Sequence, residues 1–285
     1  MTRFKQYTEL SAEFVKQKLE DFFAEDNIKD DITTHATQTD KRQAKGVFIA
    51  KEPLIFAGKE IIKQGFSECV IDDVVEDGTW LDQGDIIATM HGNIDTMLRK
   101  ERVVLNLIQR LSGIASTTKK LSNITNQHNI ELLDTRKTTP GLRLFEKFAV
   151  AVGGGTNHRF SLKDAVMIKD NHLIGNPDII KAVSQSKKNN PTKDIQIEVD
   201  TKDQLDIALQ SGATSILLDN FKPEALPNII NKIRLHNTGK GLYIELSGGI
   251  VAETLTDFCI DGVDGISMGA LTHNIKSKDI SLDIK

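Results

Sequence analysis

From Ile130 onward the sequence repeats one pattern: a short apolar run, a polar break, then an amphipathic stretch. No other feature constrains the fold as tightly, because short buried strands joined by helical crossovers pair as a parallel sheet covered by helices. The strand candidates are Glu131–Asp134, Val166–Lys169, Ile195–Val199, Ser215–Leu218, Leu242–Leu246 and Gly265–Met268. Helices are expected over Pro177–Lys187, Lys202–Gln210, Pro223–Arg234 and Ala252–Phe258. Six strands fall short of a full (β/α)₈ barrel, so the fold expected is an α/β, incomplete (β/α) barrel.

The polar residues gather at one end of these strands. Arg136 and Lys137 follow the first run, Lys169 and Asp170 end the second, and Glu198 ends the third. Asp219 ends the fourth, Ser247-Gly248-Gly249 the fifth, and Gly269 the sixth. Chance would scatter such residues over both ends, whereas barrel enzymes build their sites on the C-terminal strand ends. The stretch 131–172 also concentrates Arg136, Lys137, Arg143, His158, Arg159 and Lys169. Like charges within a Debye length of about 8–10 Å repel, so a folded site of this kind calls for an anion bearing several carboxylates or phosphates. The whole chain carries a net charge of -4, so the positive charge is local. That favours a small anionic ligand and gives no reason to expect nucleic acid as a partner.

The N-terminal third reads differently. Phe14, Leu19, Phe22 and Phe23 recur at helical spacing behind Ser11, a plausible N-cap. From Ala44 the period changes to two, with strands expected at Gly46–Ala50 and Leu54–Ala57. Asp77-Gly78 and Gln83-Gly84 mark turns around short strands. The pattern resembles the folded-over hairpins of biotinyl and lipoyl domains but lacks the Lys such a hairpin exposes at its tip. A scaffold sandwich is the preferred reading, with Trp80 as packing. A long helix over Met97–Ser116 follows, on which Arg102 reads as a snorkelling surface arginine. The expected organisation is therefore an α+β open-sandwich domain over 1–115, joined by a tail at 272–285, and the barrel over 116–271.

With 39% hydrophobic and 27% charged residues, the 285-residue chain has the composition of a soluble globular protein. Its N-terminus lacks the apolar core of a signal peptide, and no apolar run reaches the roughly 18–20 residues of a membrane span. A cytoplasmic protein without a membrane partner is expected. Cys69 and Cys259 lack CxxC spacing and read as buried, reduced thiols.

Several residues admit two readings. Ser247-Gly248-Gly249 or Met268-Gly269-Ala270 alone is a tight turn; on the last two strands together they suit a sugar phosphate held by backbone N–H groups. Glu198 and Asp219 could each cap a helix or pair with a nearby cation. As a pair they could hold Mg²⁺ or ribose hydroxyls and stabilise positive charge at an anomeric carbon. His158 suits acid–base work, donation to a carboxylate, or a satisfied structural role. His172, His273, Asp170 and Asp200 read as structural. The run Gly153-Gly154-Gly155 lets the chain turn sharply before His158.

Three stretches, D-T-R-K-T-T-P-G-L-R (Asp134 to Arg143), G-G-G-T-N-H-R (Gly153 to Arg159) and I-K-D-N-H (Ile168 to His172), resemble the quinolinate phosphoribosyltransferase family. Further matches run in family order: E-R-V-V-L-N-L-I-Q-R-L-S-G-I-A (Glu101 to Ala115), I-E-V-D (Ile197 to Asp200), L-L-D-N (Leu217 to Asn220), E-L-S-G-G-I (Glu245 to Ile250) and I-S-M-G-A-L-T-H (Ile266 to His273). The resemblance implies a pentosyltransferase of NAD biosynthesis. It would join quinolinate to 5-phosphoribosyl-1-pyrophosphate with decarboxylation, giving nicotinate mononucleotide, pyrophosphate and carbon dioxide. It implies that Arg136, His158, Arg159 and Lys169 hold the dicarboxylate, with Arg102 reaching in from the neighbouring subunit of a homodimer or a hexamer of dimers. Lys137, Ser247, Gly248, Gly249 and Gly269 would face the phosphoribosyl donor. Lys137, Lys169, Glu198 and Asp219 would form the catalytic set, with Mg²⁺ as the expected cofactor near Glu198 and Asp219. Phe160-Ser161 and Leu246 depart from the family's usual residues without removing a charged group. Two alternatives are a paralogue linked to molybdate transport, which usually lacks the full T-R-K-T-T-P-G-L-R and K-D-N-H set, and a non-catalytic anion-binding regulator on the same scaffold.

Overall fold

A computed structural model describes residues 3–38, 40, 42–174 and 178–285, which divide into two units. The N-terminal unit comprises residues 7–119, 140–154 and 274–285, and the barrel unit comprises 3–6, 120–139 and 155–273. The division read from sequence carries no such exchange of residues 3–6 and 140–154.

In chain order the N-terminal unit opens with α1 (Ala12–Glu25), α2 (Ile32–Thr37), β1 (Gln43–Ala50), β2 (Leu54–Ile55) and α3 (Lys59–Gly65). There follow β3 (Val70–Val74), β4 (Trp80–Leu81), β5 (Ile86–Asn93) and the long α4 (Ile94–Asn126), whose last turns belong to the barrel unit. Ser11 caps α1, accepting the Phe14 N–H at 3.3 Å. The sheet runs β12 (Ile280–Ile284), β1, β5, β3, all antiparallel. β1 buries Val47, Phe48 and Ala50, and the Phe48 ring meets that of Phe66; Leu19, Ile61, Ile62, Val104 and Ile108 are buried in the same unit. Residues 143–152 form α5 (Arg143–Val152) in this unit, where Phe145 meets the rings of Phe14 and Phe22.

Several expectations here need correction. The strand at Leu54–Ala57 is only the two-residue β2, and the helix expected at Met97–Ser116 extends to 33 residues. Trp80 is not packed: it is 59% exposed, with its indole N–H donated to Asp82. Cys69 and Cys259 are free thiols but half-buried rather than buried. Burial pushes both thiols up.

The barrel unit contains β6 (Glu131–Leu133), β7 (Val166–Ile168), α6 (Asp170–Leu173), α7 (Ile179–Asn189), β8 (Ile195–Val199) and α8 (Lys202–Gln210). It continues with β9 (Ser215–Asp219), α9 (Leu226–Leu235), β10 (Tyr243–Ser247), β11 (Gly265–Ser267) and α10 (Ala270–His273). All six strands are parallel, in the order β6-β11-β10-β9-β8-β7. Pro177, the expected start of α7, lies outside the described residues. The helix expected at Ala252–Phe258 is only a 3₁₀ turn at Leu255–Phe258.

Strand period sorts the side chains. Ile195, Ile197, Val199, Ile216, Leu218, Ile244, Leu246 and Ile266 are buried on one face. The alternate residues share the other face by register: Gln196 and Glu198; Ser215, Leu217 and Asp219; Tyr243, Glu245 and Ser247; Gly265 and Ser267. The interior is accordingly polar. At its foot the Tyr243 hydroxyl donates to Glu131 at 2.5 Å, and burial with this bond pushes the phenol up. A Cβ at Gly265 would stand 2.3 Å from that hydroxyl, so the ring crosses where only glycine fits. The sheet remains open between β6 and β7, where Thr156 bridges to Leu133.

Candidate active site

Four polar groups occupy the C-terminal ends of the parallel strands. Glu198 is the penultimate residue of β8, Asp219 ends β9, Ser247 ends β10, and Lys169 follows β7. Lys169 Nζ pairs with Glu198 Oε2, so the expected substrate cation and the expected metal carboxylate face one another. Asp219 accepts from Asn220 Nδ2 at 2.6 Å. Both carboxylates are half-buried.

The glycines reach the same rim. Gly248 and Gly249 have φ of +94° and +63°, a region L-residues rarely adopt. A Cβ at Gly248 would lie 2.3 Å from Asn220 Oδ1 and 2.5 Å from its backbone nitrogen. Asn220 N–H donates to the Ser247 carbonyl, locking the β9 and β10 ends together. Across the rim, Gly269 lies under the Lys137 stem and the His273 ring, and Thr272 Oγ1 donates to the Lys137 carbonyl at 2.7 Å. Lys137 is thereby brought to one of the phosphate-type glycines, with its head exposed.

A cavity of about 550 Å³ beside β7 is lined by Arg136, Arg159, Met167, Lys169 and His172, and closed by polar residues of α7 such as Gln185 and Ser186. Arg159 is 7% exposed and half-buried Arg136 stands near it. Burial, and then that neighbouring cation, pull the Arg159 guanidinium below its ordinary value. Its Nη1 donates to the Ala165 carbonyl at 2.9 Å and its Nη2 touches the Met167 sulfur, neither of which carries charge. His172 Nδ1 accepts the Lys169 N–H at 3.0 Å, closing the short α6 as a structural histidine does.

His158 is buried within the barrel. Its Nδ1 accepts the Arg159 N–H at 2.7 Å, which places the ring proton on Nε2, 3.2 Å from Glu245 Oε2. Gln196 Nε2 donates to the same oxygen at 2.7 Å. Burial alone would push the Glu245 carboxyl up; the facing His158 and the donors from Gln196 and Ser267 outweigh it and hold it at about 2. Asp134 anchors the approach, accepting the His158 N–H and Asn157 Nδ2, both at 2.8 Å.

The fold thus brings Arg136, His158, Arg159 and Lys169 into the same unit as Lys137, Glu198, Asp219 and the phosphate-type glycines. Arg143 opens α5 in the N-terminal unit instead, and Arg102 is an exposed residue of α4 in that unit. Sequence reasoning passed over Gln196, Glu245, Asp134, Asn157 and Asn220. A signal for two of them existed: stepping back two residues from Glu198 and from Ser247 lands on Gln196 and Glu245, on the same strand face.

Among the described residues no cluster of three or more His, Cys, Asp or Glu side chains is placed to hold a metal. Mg²⁺ needs no such cluster, because it usually keeps waters and binds through one or two carboxylates plus substrate phosphates.

Comparison with known proteins agrees with this architecture. Residues 31–112 match the model of the quinolinate phosphoribosyl transferase N-terminal domain, and residues 114–283 that of the C-terminal domain. The probable nicotinate-nucleotide pyrophosphorylase (carboxylating) of Bacillus subtilis is 41% identical over 277 residues, 95% of this chain and 93% of the relative. A tobacco (Nicotiana tabacum) protein named quinolinate phosphoribosyltransferase (decarboxylating) 2b, mitochondrial, is 38% identical over 89% of this chain and 77% of its own. The solved nicotinate-nucleotide pyrophosphorylase from Francisella tularensis superposes with a TM-score of 0.91 at 33% identity, covering 99% of this chain and 100% of that one. With both family domains matched in order along one chain, the protein belongs to the quinolinate phosphoribosyltransferase family.

Proposed function

We infer that the protein is a carboxylating nicotinate-nucleotide pyrophosphorylase. It transfers the phosphoribosyl group of 5-phosphoribosyl-1-pyrophosphate to quinolinate, giving nicotinate mononucleotide, pyrophosphate and carbon dioxide. The observation that carries the reading is the pair of arginines in one cavity, Arg159 buried and Arg136 beside it. Two guanidiniums sharing a poorly solvated space demand paired negative charge, and adjacent ring carboxylates supply it in the planar geometry the Arg fork prefers.

In this reading Arg136, Arg159 and Lys169 bind the dicarboxylate, and Arg102 of a second copy completes the site. Exposure of Arg102 suits that role. His158 acts through Arg159, whose N–H it accepts. Lys137, Ser247, Gly248, Gly249 and Gly269 hold the donor's phosphates at the β10 and β11 end of the same rim. The pyridine nitrogen attacks the anomeric carbon, and the C–O bond to pyrophosphate breaks with its electron pair on the leaving group. Glu198 and Asp219 face the positive charge that develops at that carbon. Glu198 and Asp219 would hold Mg²⁺, which would supply positive charge to the departing diphosphate. The ring nitrogen is now cationic, so the bond from C2 to its carboxylate breaks with release of carbon dioxide. The electron pair left at C2 then takes a proton. Protein cations would hold that carboxylate in place, so the ring's own charge drives its loss and the protein supplies position.

Substrate binding recruits Lys169 away from Glu198, freeing the carboxylate for the donor side. Among the described residues no helix is long and apolar enough to cross a membrane. Incubation with quinolinate, phosphoribosyl pyrophosphate and Mg²⁺ tests the assignment. Nicotinate mononucleotide and carbon dioxide should appear in equal amounts; quinolinate binding without either product would refute it.

A further inference from the structure

Residues 3–6, which no sequence motif singled out, run inside the barrel unit and touch the segment that carries Arg159. Arg3 anchors the strap: its Nη2 donates to Ser215 Oγ at 2.9 Å, its Nε lies 3.5 Å from Asp194, and its guanidinium stacks 4.4 Å from the Tyr243 ring centroid. Phe4 then stacks on His158, with centroids 4.7 Å apart and planes 25° from parallel. Gln6 clasps the next residue back, accepting the Asn157 N–H at 2.7 Å and donating to its carbonyl at 3.2 Å.

The contacts converge on one turn. His158 has Glu245 at its Nε2 edge, the Arg159 N–H at its Nδ1 edge and Phe4 on its face. Asn157 is tied to Asp134 through its side chain and to Gln6 through its backbone. This turn crosses the gap where the sheet is open between β6 and β7, so it lacks the ladder that fixes an ordinary strand. Side-chain contacts must substitute for that ladder. We propose that the strap Arg3–Gln6 positions Arg159 for the dicarboxylate, Phe4 by fixing the His158 ring and Gln6 by fixing the Asn157 backbone. Phe4 and Gln6 are positioning residues. The proposal rests on the reading that Arg159 binds quinolinate.

Calorimetric affinities for quinolinate and, separately, for phosphoribosyl pyrophosphate test it in Phe4→Ala, Phe4→Leu, Phe4→Tyr and Gln6→Ala. Misplacing a binding group by about 1 Å can cost up to about 100-fold, so Phe4→Ala and Gln6→Ala should each weaken quinolinate binding about 10-fold. Phosphoribosyl pyrophosphate binding should stay within about twofold, because the glycines that hold it follow β10 and β11, and Phe4→Tyr, which keeps the ring face, should restore quinolinate affinity. Phe4→Leu keeps apolar bulk without a ring face and serves if Phe4→Ala does not fold. Unchanged quinolinate affinity in the folded variants overturns the proposal, as does equal weakening for both ligands. A ligand-free readout is the ¹⁵N spectrum of His158, which should report a fixed Nε2–H ring in the wild type and averaged ring nitrogens in Phe4→Ala. If the wild type binds no quinolinate, the functional reading fails separately, and a fixed ring in Phe4→Ala then overturns the strap's role as well.

Discussion

At Arg159, burial and the neighbouring Arg136 act in one direction, against the charge that the side chain nevertheless carries. Removing it should weaken quinolinate binding by about 2–5 kcal/mol, as for one partner of a buried charge pair. Calorimetry on Arg159→Ala checks this, and wild-type affinity would remove the residue from the site. Glu245 presents the opposite case, a fully buried carboxylate kept ionised by its donors. Its folded value, about 2, lies below the unfolded value of about 4.3 for glutamate. The stability it contributes is therefore present above about pH 4.3 and lost as the pH falls toward its folded value. Thermal melts of Glu245→Gln should accordingly show a shallower loss of melting temperature in that acid window than wild type; parallel slopes would contradict the buried network. The charged residues of this site were legible as a cluster in the sequence. What was not legible is that His158 spends both ring nitrogens inside the protein, because only folding brings Glu245 across from β10.

At the scale of elements, strand periodicity carried most of the information. The six strand positions and the C-terminal placement of Glu198, Asp219 and Ser247 follow from alternation alone, since two-residue period and parallel pairing leave little freedom. Element ends were less well determined, as at Ala252–Phe258, where the apolar spacing supports a helix but the chain makes only a short turn. The segment 140–154 shows a different limit. Its helix α5 packs apolar residues in the N-terminal unit, and Glu146, fully buried there, accepts from Arg110 Nη2 at 2.7 Å and Nε at 3.0 Å. Breaking a buried pair commonly costs about 3–5 kcal/mol, and the part-exposed Arg110 brings the expected loss for Glu146→Ala to about 2–3 kcal/mol. Chemical denaturation measures it; a change below about 0.5 kcal/mol, the usual range for surface sites, would show the pair to be inert.

For the whole molecule, the test is whether one site draws on two copies. Arg102→Ala and Arg136→Ala proteins should each be inactive alone and regain part of the activity when mixed, since a mixed dimer assembles one intact site. Absence of recovery, with subunit exchange verified, would argue against Arg102 acting across an interface. By itself the sequence determined the incomplete barrel, the strand ends that carry the polar residues, and the local concentration of cations. Each of these rests on local periodicity or local charge density, which neighbouring residues encode directly. Only the tertiary structure decided that Lys169 rests on Glu198, that Glu245 and Gln196 hold His158, and that Phe4 and Gln6 brace the turn before Arg159. Those contacts join residues far apart in the chain. Their partners are chosen by packing and register, which no short stretch of sequence contains.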